Sequence, residues 1–401
     1  MRGLSRPADG RIAAIYVTHN GIGSALVRSQ VLPYLRGLAA RGHDVHLVTF
    51  ERGDVHFPAG EFPADHWHSI PARPGSALLS KATDAAIGVV TLLRLCAHLR
   101  PRVLHARSYL PAAIVRVASM FARVPFIFDM RGFLGEEYVE GGHWRRRDIR
   151  FRLVRFAERD LLRRAAAIVV LTQEAAQRLR GDRRYRPIVR GSLVTVIPCT
   201  VDLDRFRPVE TAAPPAIVYA GSLGLWYALD AMLRVYLAAR ALVPALRFVV
   251  LNRDQQPEAW RAAERLGVTD GLEVRGVDFA AMPPELARAR VGICLLRQSG
   301  SKLASSPIKV AEYLACGLPV VVNQGQGDTA SLVRRYAAGH VMEAYGDRDV
   351  ADAGRAVATL LEDRTARASA RRLAEREYDL NEGVRRYAEL YQDVAAGGRR
   401  A

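Results

Sequence analysis

The sequence predicts an α/β protein made of two successive domains, each with a parallel sheet. Three observations carry the prediction. Short apolar segments alternate with amphipathic helical stretches along the whole chain, which is the pattern of parallel sheets with helical crossovers. The alternation pauses in a Pro-containing passage that ends at Pro215 and restarts at Ile217-Val218-Tyr219. The length, 401 residues, is better filled by two domains than by one. The expected boundaries are a first domain at 1–198, a linker at 199–215 and a second domain at 216–380. A C-terminal helix at 381–401 is expected to return to the first domain.

Half of the residues are apolar, enough for sizeable cores and unlike a disordered chain. The formal net charge of +17 comes far more from arginine than from lysine and favours anionic partners. Cys96, Cys199, Cys294 and Cys316 are scattered and show no C-x-x-C spacing, which argues against a disulfide framework or a zinc cluster of cysteines. The leading Met1-Arg2-Gly3-Leu4-Ser5-Arg6-Pro7 lacks the apolar core of a signal peptide. Arg94 interrupts the nearest approach to a bilayer-spanning run. The chain reads as cytoplasmic.

In the first half, Ala13–Val17 is a strand, the loop His19–Ser24 follows, and a helix is expected from Ala25 to Arg41 before the strand Val45–Phe50. Gly21 and Gly23 let the backbone approach an anion at the helix start. A plain tight turn is the other reading, since Leu26 stands where a dinucleotide fingerprint has its third glycine. Residues 54–75 read as irregular. His66 and His68 there can share a strand face and hold a metal, but with no further ligand nearby a surface loop is favoured. A helix at Ser80–Leu99, a strand at Val103–Arg107, a helix at Pro111–Ala122 and a strand at Pro125–Phe128 come next. Asp129-Met130-Arg131-Gly132 closes that last strand at the edge where α/β proteins bind ligands. Asp129 can accept a hydroxyl proton or orient it, or form a structural pair with Arg131. An arginine is no base at neutral pH, so Arg131 orients or neutralises.

From Trp144 to Phe156 arginines greatly outnumber acids, with Phe151, Val154, Leu161 and Leu162 on an apolar side. Such a segment suits an anionic membrane interface or a lipid-linked pyrophosphate, or is a solvated helix face. No nucleic-acid-binding motif accompanies the charge, so nucleic acid is not an expected partner.

The most informative stretch is Ser305 to Asn323. Pro307 can open a helix, Val310, Ala311, Leu314 and Ala315 give it an apolar face, Gly317 closes it, and Val320-Val321-Val322 is a buried strand. Ser305, Ser306 and Lys309 lie where the helix start would bind an anion.

The run Glu312-Tyr313-Leu314-Ala315-Cys316-Gly317-Leu318-Pro319-Val320-Val321 resembles the donor-binding signature of the family-4 retaining glycosyltransferases. The resemblance is densest at 11–50, 125–135, 195–224 and 305–325. It implies the GT-B fold, two Rossmann-like domains facing across a cleft, and sugar transfer from a nucleotide-diphosphate donor to an acceptor hydroxyl. It implies that Glu312 holds the donor ribose, and that the Gly21–Gly23 loop faces the donor diphosphate. Relatives carry another glutamate where this chain has Ala304, and often His-Gly where it has Arg131-Gly132. They also follow the turn at Gly221 with a cationic phosphate clamp. Here Ser222 and Trp226 take those places, so Lys309 is the expected clamp, with Arg297 and Lys302 as helpers. Val277-Asp278 is where relatives contact the base. Cys199–Pro208 resembles the family's interdomain passage, and Asp202 and Asp204 are expected to cap it rather than bind metal.

The expected catalytic residues are thus Asp129, Arg131 and Lys309. The expected donor-binding residues are Gly21, Gly23, Gly221, Ser222, Arg297, Ser305, Ser306, Lys309 and Glu312. No cofactor or metal is expected beyond the nucleotide sugar. The acceptor is a sugar, a lipid-linked molecule or a small molecule, in cell-surface polysaccharide or glycolipid assembly. The rival readings are a nucleotide-sugar-binding homologue without turnover and a sugar-nucleotide epimerase on the same fold.

Overall fold

The computed structural model describes residues 11–53, 60, 62–73, 78–209, 214–224, 226–254, 256–268 and 270–397, with only the backbone of 78–81. The leading segment, much of 54–61 and residues 210–213 of the Pro-containing passage lie outside the described residues. The chain divides into two compact units. One comprises Met1–Val139, Trp144–Ile197 and Asn381–Ala401, the other Glu140–His143 and Pro198–Leu380.

The first unit holds β1 (Ala13–Val17), β2 (Asp44–Glu51), β3 (Trp67–Pro71), β4 (Val103–Arg107), β5 (Phe126–Asp129), β6 (Ala167–Val170) and β7 (Leu193–Val196). They form one sheet in the order β3-β2-β1-β4-β5-β6-β7, every pair parallel. β4, β5 and β6 are buried along their whole length, the mark of a sheet covered on both faces. The strand β3 corrects the expectation of an irregular 54–75: Trp67–Pro71 pairs with β2 in the register Leu47↔Trp67 to Glu51↔Pro71. The adjacent polar residues His68 and Ser69 and the closing Pro71 break the alternation that marks a strand, which hid this largely exposed edge. The helix expected over Ala25–Arg41 is two helices, Ala25–Gln30 and Leu32–Ala40, broken at Val31. Pro33 explains the break, because it has no N–H for the preceding turn and its ring crowds that carbonyl.

The window Ala82–Leu99, of mean hydropathy 1.4, meets the length and composition of a membrane span, against the expectation that Arg94 prevents this. In this fold it is a crossover helix. Gly88, Leu92 and Cys96 face inward, and Arg94 lies on the exposed side. A Cβ at Gly88 would come within 3.1 Å of Ile114 and Phe50. The C-terminal helix Leu380–Ala395 belongs to this unit and buries Val384, Tyr387, Tyr391 and Val394. Gly37 has no Cβ because Val384 occupies that space.

The second unit holds β8 (Ala216–Ala220), β9 (Arg247–Leu251), β10 (Leu272–Arg275), β11 (Val291–Cys294), β12 (Val320–Asn323) and β13 (Gly339–Met342). Its order is β10-β9-β8-β11-β12-β13, again all parallel. The helix Ile308–Ala315 lies between β11 and β12 in sequence, with Pro307 one position outside its first turn. Its side chains from Lys309 to Ala315 are all buried. Tyr313 lies against β11 at Gly292 and accepts the Ala220 N–H at 2.6 Å, which fixes the helix to the end of β8.

A Cβ at Gly292 would stand 2.6 Å from Tyr313 Cγ. Gly292→Ala is therefore expected to destabilise the chain by about 2 kcal/mol through overpacking. Urea unfolding checks this: the midpoint falls with the slope unchanged.

Candidate functional site

In the second unit, the helix Ile308–Ala315 carries two ionisable side chains into a dry environment. Lys309 and Glu312 are 6% and 7% exposed. Lys309 Nζ donates to the Tyr219 hydroxyl at 2.8 Å and stands 3.6 Å from the Tyr227 ring centre and 4.1 Å from that of Tyr219. The Tyr219 hydroxyl in turn donates to the Ser222 carbonyl. The ammonium therefore lies beneath the turn after β8, held by two aromatic faces and one oxygen. Gly221 is required here on two counts: its φ is +111°, and a Cβ would meet Lys309 Nζ at 3.1 Å. Asn252 Nδ2 donates to the Gly221 carbonyl at 2.8 Å and fixes the turn from β9.

Burial pushes the Glu312 carboxyl up to about 7, against the opposing pull of Lys309 and Arg205. Burial likewise brings Lys309 down to about 8, with Cys294 and Glu312 acting the other way. Each charge is expensive in this setting and each is eased by an oppositely charged or hydrogen-bonding ligand. Arg205 is positioned by its own donation to the Phe279 carbonyl at 2.5 Å and by stacking 4.0 Å over the Phe279 ring. Asp202 Oδ1 accepts the N–H groups of Asp204 and Arg205 at 3.1 and 3.0 Å, a capping arrangement.

The other expected donor residues are spread around this core. Ser306 Oγ accepts the Cys199 N–H at 3.2 Å, so it secures the passage between the units' sequences. Ser305 is half-buried and Ser222 exposed. Lys302 stacks 3.8 Å over Trp226. Arg297 is exposed and lines an open cavity of about 570 Å³ that runs past Tyr227 and the turn at Leu223-Gly224, with Arg234, Arg261 and Arg265. The last three arginines there pair with Asp347, Glu258 and Asp230. Asp278 is exposed and 3.4 Å from Arg253. Ala304 is buried.

In the first unit, Asp129 has no exposed surface and is the hub of a cationic cluster at the C-terminal ends of β4 and β5. Arg131 Nη1 lies 3.2 Å, Arg107 Nη1 3.7 Å and His105 Nε2 3.8 Å from its oxygens, and Tyr387 donates to it at 3.4 Å. Burial alone would raise the Asp129 carboxyl; Arg131, His105 and Arg107 outweigh it and hold it below the usual carboxylate range. So disposed, Asp129 is a weak base paired with Arg131. His105 is fixed by the Tyr391 hydroxyl at 2.9 Å.

Ser108, next along from β4, has φ +71° and ψ 179°, a region that side chains other than glycine's rarely occupy. His105, Arg107, Ser108 and Tyr387 had no signal in the sequence that singled them out. The loop at Gly21 is occupied from within: Glu51 Oε1 accepts the Ile22 N–H at 2.8 Å, and a Cβ at Gly21 would meet Glu51 Oε2 at 2.5 Å. Nothing lies within 4 Å of a Cβ built at Gly23.

Two parallel-sheet, Rossmann-like domains are the architecture of the GT-B fold. Residues 27–200 match the family described as glycosyl transferase 4-like domain, and residues 214–363 match glycosyl transferases group 1. The chain belongs to the family-4 type glycosyltransferases and is such an enzyme. Among solved structures it is similar to sucrose-phosphate synthase from Thermosynechococcus elongatus. The identity is 17% and the TM-score 0.76, over 97% of this chain and 100% of that one. It is also similar to Anabaena Alr3699/HepE in complex with UDP and glucose, at 16% identity and TM-score 0.68, over 94% and 99%. WaaG, a glycosyltransferase involved in lipopolysaccharide biosynthesis, matches at 16% and 0.67, over 96% and 100%. At these identities the likeness is one of fold. No curated protein sequence matches the chain.

The two buried charges make stability depend on pH with opposite slopes. Glu312 binds its proton more tightly in the folded chain, so its contribution is present below about 4.5 and lost as pH rises to about 7. Lys309 releases its proton more readily when folded, so stability is regained as pH rises from about 8 to 10.5. Thermal midpoints of the ligand-free chain should trace that dip, with Glu312→Gln flattening the acid side and Lys309→Met the alkaline side.

Proposed function

We propose that the chain transfers a sugar, with retention of configuration, from a nucleoside-diphosphate donor to an acceptor hydroxyl. The observation that carries the reading is the buried Lys309 beneath the Gly221 turn, with Glu312 one helical turn further along. The ammonium and the N–H groups of that turn receive the donor diphosphate, and the Glu312 carboxylate accepts hydrogen bonds from the ribose hydroxyls. The arriving phosphate charge favours Lys309 in its protonated form, and the ribose hydroxyls favour ionised Glu312. In the transfer, the bond from the sugar's anomeric carbon to the phosphate oxygen breaks and the acceptor oxygen bonds to that carbon on the same face. The acceptor proton passes to the departing phosphate oxygen. Charge grows on the diphosphate as the bond breaks, and a preorganised cation in a dry site stabilises it.

The first unit takes the acceptor. Arg131, braced by Asp129, orients a hydroxyl or neutralises an acceptor phosphate. A lipid-linked acceptor is favoured by a surface on this unit. The helix Ile149–Arg164 exposes Ile149, Leu153 and Phe156 as one stripe, and Phe156 is 74% exposed. The helix Tyr109–Ala122 exposes Val117, Met120 and Phe121, the last at 66%. Arg116 and Asp160 tie the two helices at 3.0 Å. Arg150 and Arg152 on the first of these helices, and Arg123, Arg145 and Arg147 beside the two helices in sequence, are exposed as well. Exposed apolar side chains on arginine-rich helices fit the headgroup layer of an anionic membrane.

Lys309→Ala and Glu312→Ala are each expected to lower kcat by about a hundredfold or more while circular dichroism stays unchanged. Release of nucleoside diphosphate across a panel of nucleotide sugars and of lipid-linked and soluble acceptors is the assay. Unaltered turnover in Lys309→Ala removes the proposed clamp.

The membrane contact is checked by sedimentation with vesicles rich in anionic lipid. Leu153→Ser with Phe156→Ser should weaken binding by about tenfold or more, and neutral vesicles should bind poorly.

A further inference from the structure

At the opposite end of the first unit's sheet, where β2 begins, three imidazoles and a carboxylate converge. His46 Nε2 is 3.4 Å and His66 Nε2 is 3.8 Å from Asp44 Oδ1. The His46 and His66 rings stack with centroids 4.4 Å apart. His68 Nε2 lies 3.1 Å from His46 Nδ1. The ligand atoms of Asp44, His46 and His66 all lie within 4.8 Å of one another, the one such group among the described residues. The register that brings them together is that of β2 with β3, an edge strand the sequence pattern did not reveal.

A backbone carbonyl fixes the tautomer of His66. His66 Nδ1 lies 3.3 Å from the Val45 carbonyl, which only accepts, so the proton is on Nδ1 and the Nε2 lone pair faces Asp44. His46 Nδ1 and His68 Nε2 share one proton, and with that proton on His46 Nδ1 the His46 Nε2 lone pair faces the same carboxylate oxygen. In that arrangement three acceptor atoms crowd together and repel unless a cation lies among them. Histidines that hold a metal characteristically donate their other N–H to a carbonyl or another acceptor, which His66 does to Val45 and His46 then does to His68. Zinc takes nitrogen and oxygen ligands at about 2.0–2.2 Å, and tetrahedral ligands at that distance are roughly 3.4 Å apart. The two separations from Asp44 Oδ1 are close to that spacing.

We propose that Asp44 Oδ1, His46 Nε2 and His66 Nε2 form a site for one zinc-class divalent ion, with His68 as a positioning residue. Water completes the coordination. The His46 side chain is 8% exposed, while Asp44 and His66, at 52% and 31%, leave the ion an entry from solvent. The site joins β2 to the short turn Ala64–His66 that leads into β3, and so pins the edge strand. Parallel strands place it at the end opposite Asp129, which ends β5, so its role is structural and independent of the transfer reaction.

The test uses the full chain without a polyhistidine tag, stripped by chelator. Titration with zinc chloride should reach one ion per chain by elemental analysis, with a higher thermal midpoint. Cobalt(II) should give the visible absorption of a four-coordinate ion. Asp44→Asn with His66→Gln alters only partly exposed side chains, and should fold by circular dichroism yet lose both signals. His68→Phe should bind about tenfold to a hundredfold more weakly, and His68→Gln, which still accepts, less weakly than that. Failure of the unaltered chain to bind stoichiometric ion overturns the proposal. So does equal binding by the Asp44→Asn/His66→Gln variant, which assigns the ion to other surface groups.

Discussion

Burying an ammonium and a carboxylate on one helix of the second unit constrains everything around it. Neither Lys309 nor Glu312 has water to solvate its charge, so each requires a partner supplied by the fold or by a ligand. The fold supplies part of this: two tyrosine faces and one hydroxyl for Lys309, and the field of Arg205 for Glu312. That arrangement in turn dictates glycine at 221, where the backbone passes over the ammonium with a positive φ. It also dictates the anchoring of the helix to β8 through Tyr313 and Ala220. Arg371 fastens the far end, donating to the carbonyls of Ala315 and Phe206 at 2.8 and 2.9 Å. A helix fixed at both ends presents its two charges at a set separation, and a rigid pair recognises a ligand without first being ordered.

The first unit solves a similar problem with the opposite balance. One carboxylate, Asp129, is faced by Arg107 and the imidazole of His105 from β4 and by Arg131 from the loop after β5, and the C-terminal helix adds Tyr387. Because the ligand-facing ends of a parallel sheet lie side by side, residues far apart in sequence meet there. The strained backbone at Ser108 lies between Arg107 and the helix that follows, and its N–H donates to the Asp129 carbonyl at 2.9 Å. Strain at a ligand-bearing edge is held in place by the surrounding hydrogen bonds.

Sequence made legible what depends on local order. The strands β1, β2, β4, β5, β8 and β12, the helix closed by Gly317, and the class of enzyme were readable from runs of neighbouring residues, whereas the edge strands β3 and β13 were not. Lys309 and Glu312 were readable as a pair, but their burial was not, because Tyr219 and Tyr227 come from a different strand and loop. Ser306 illustrates the same limit: at a helix start it reads as an anion ligand, yet its hydroxyl is engaged with Cys199. Gly21 read as room for a phosphate, whereas the space is used by Glu51 from β2. The histidines at 66 and 68 lacked visible partners because those partners, Asp44 and His46, sit across a strand pairing that the irregular pattern of β3 concealed. What the sequence withheld was in each case a long-range contact.

The most direct measurement of the central claim is a structure of the chain with a nucleoside diphosphate bound. A phosphate oxygen should lie about 3 Å from Lys309 Nζ, and the ribose hydroxyls at similar distance from the Glu312 carboxylate. A diphosphate held elsewhere, with Lys309 still buried on its tyrosines and Glu312 untouched, would contradict it.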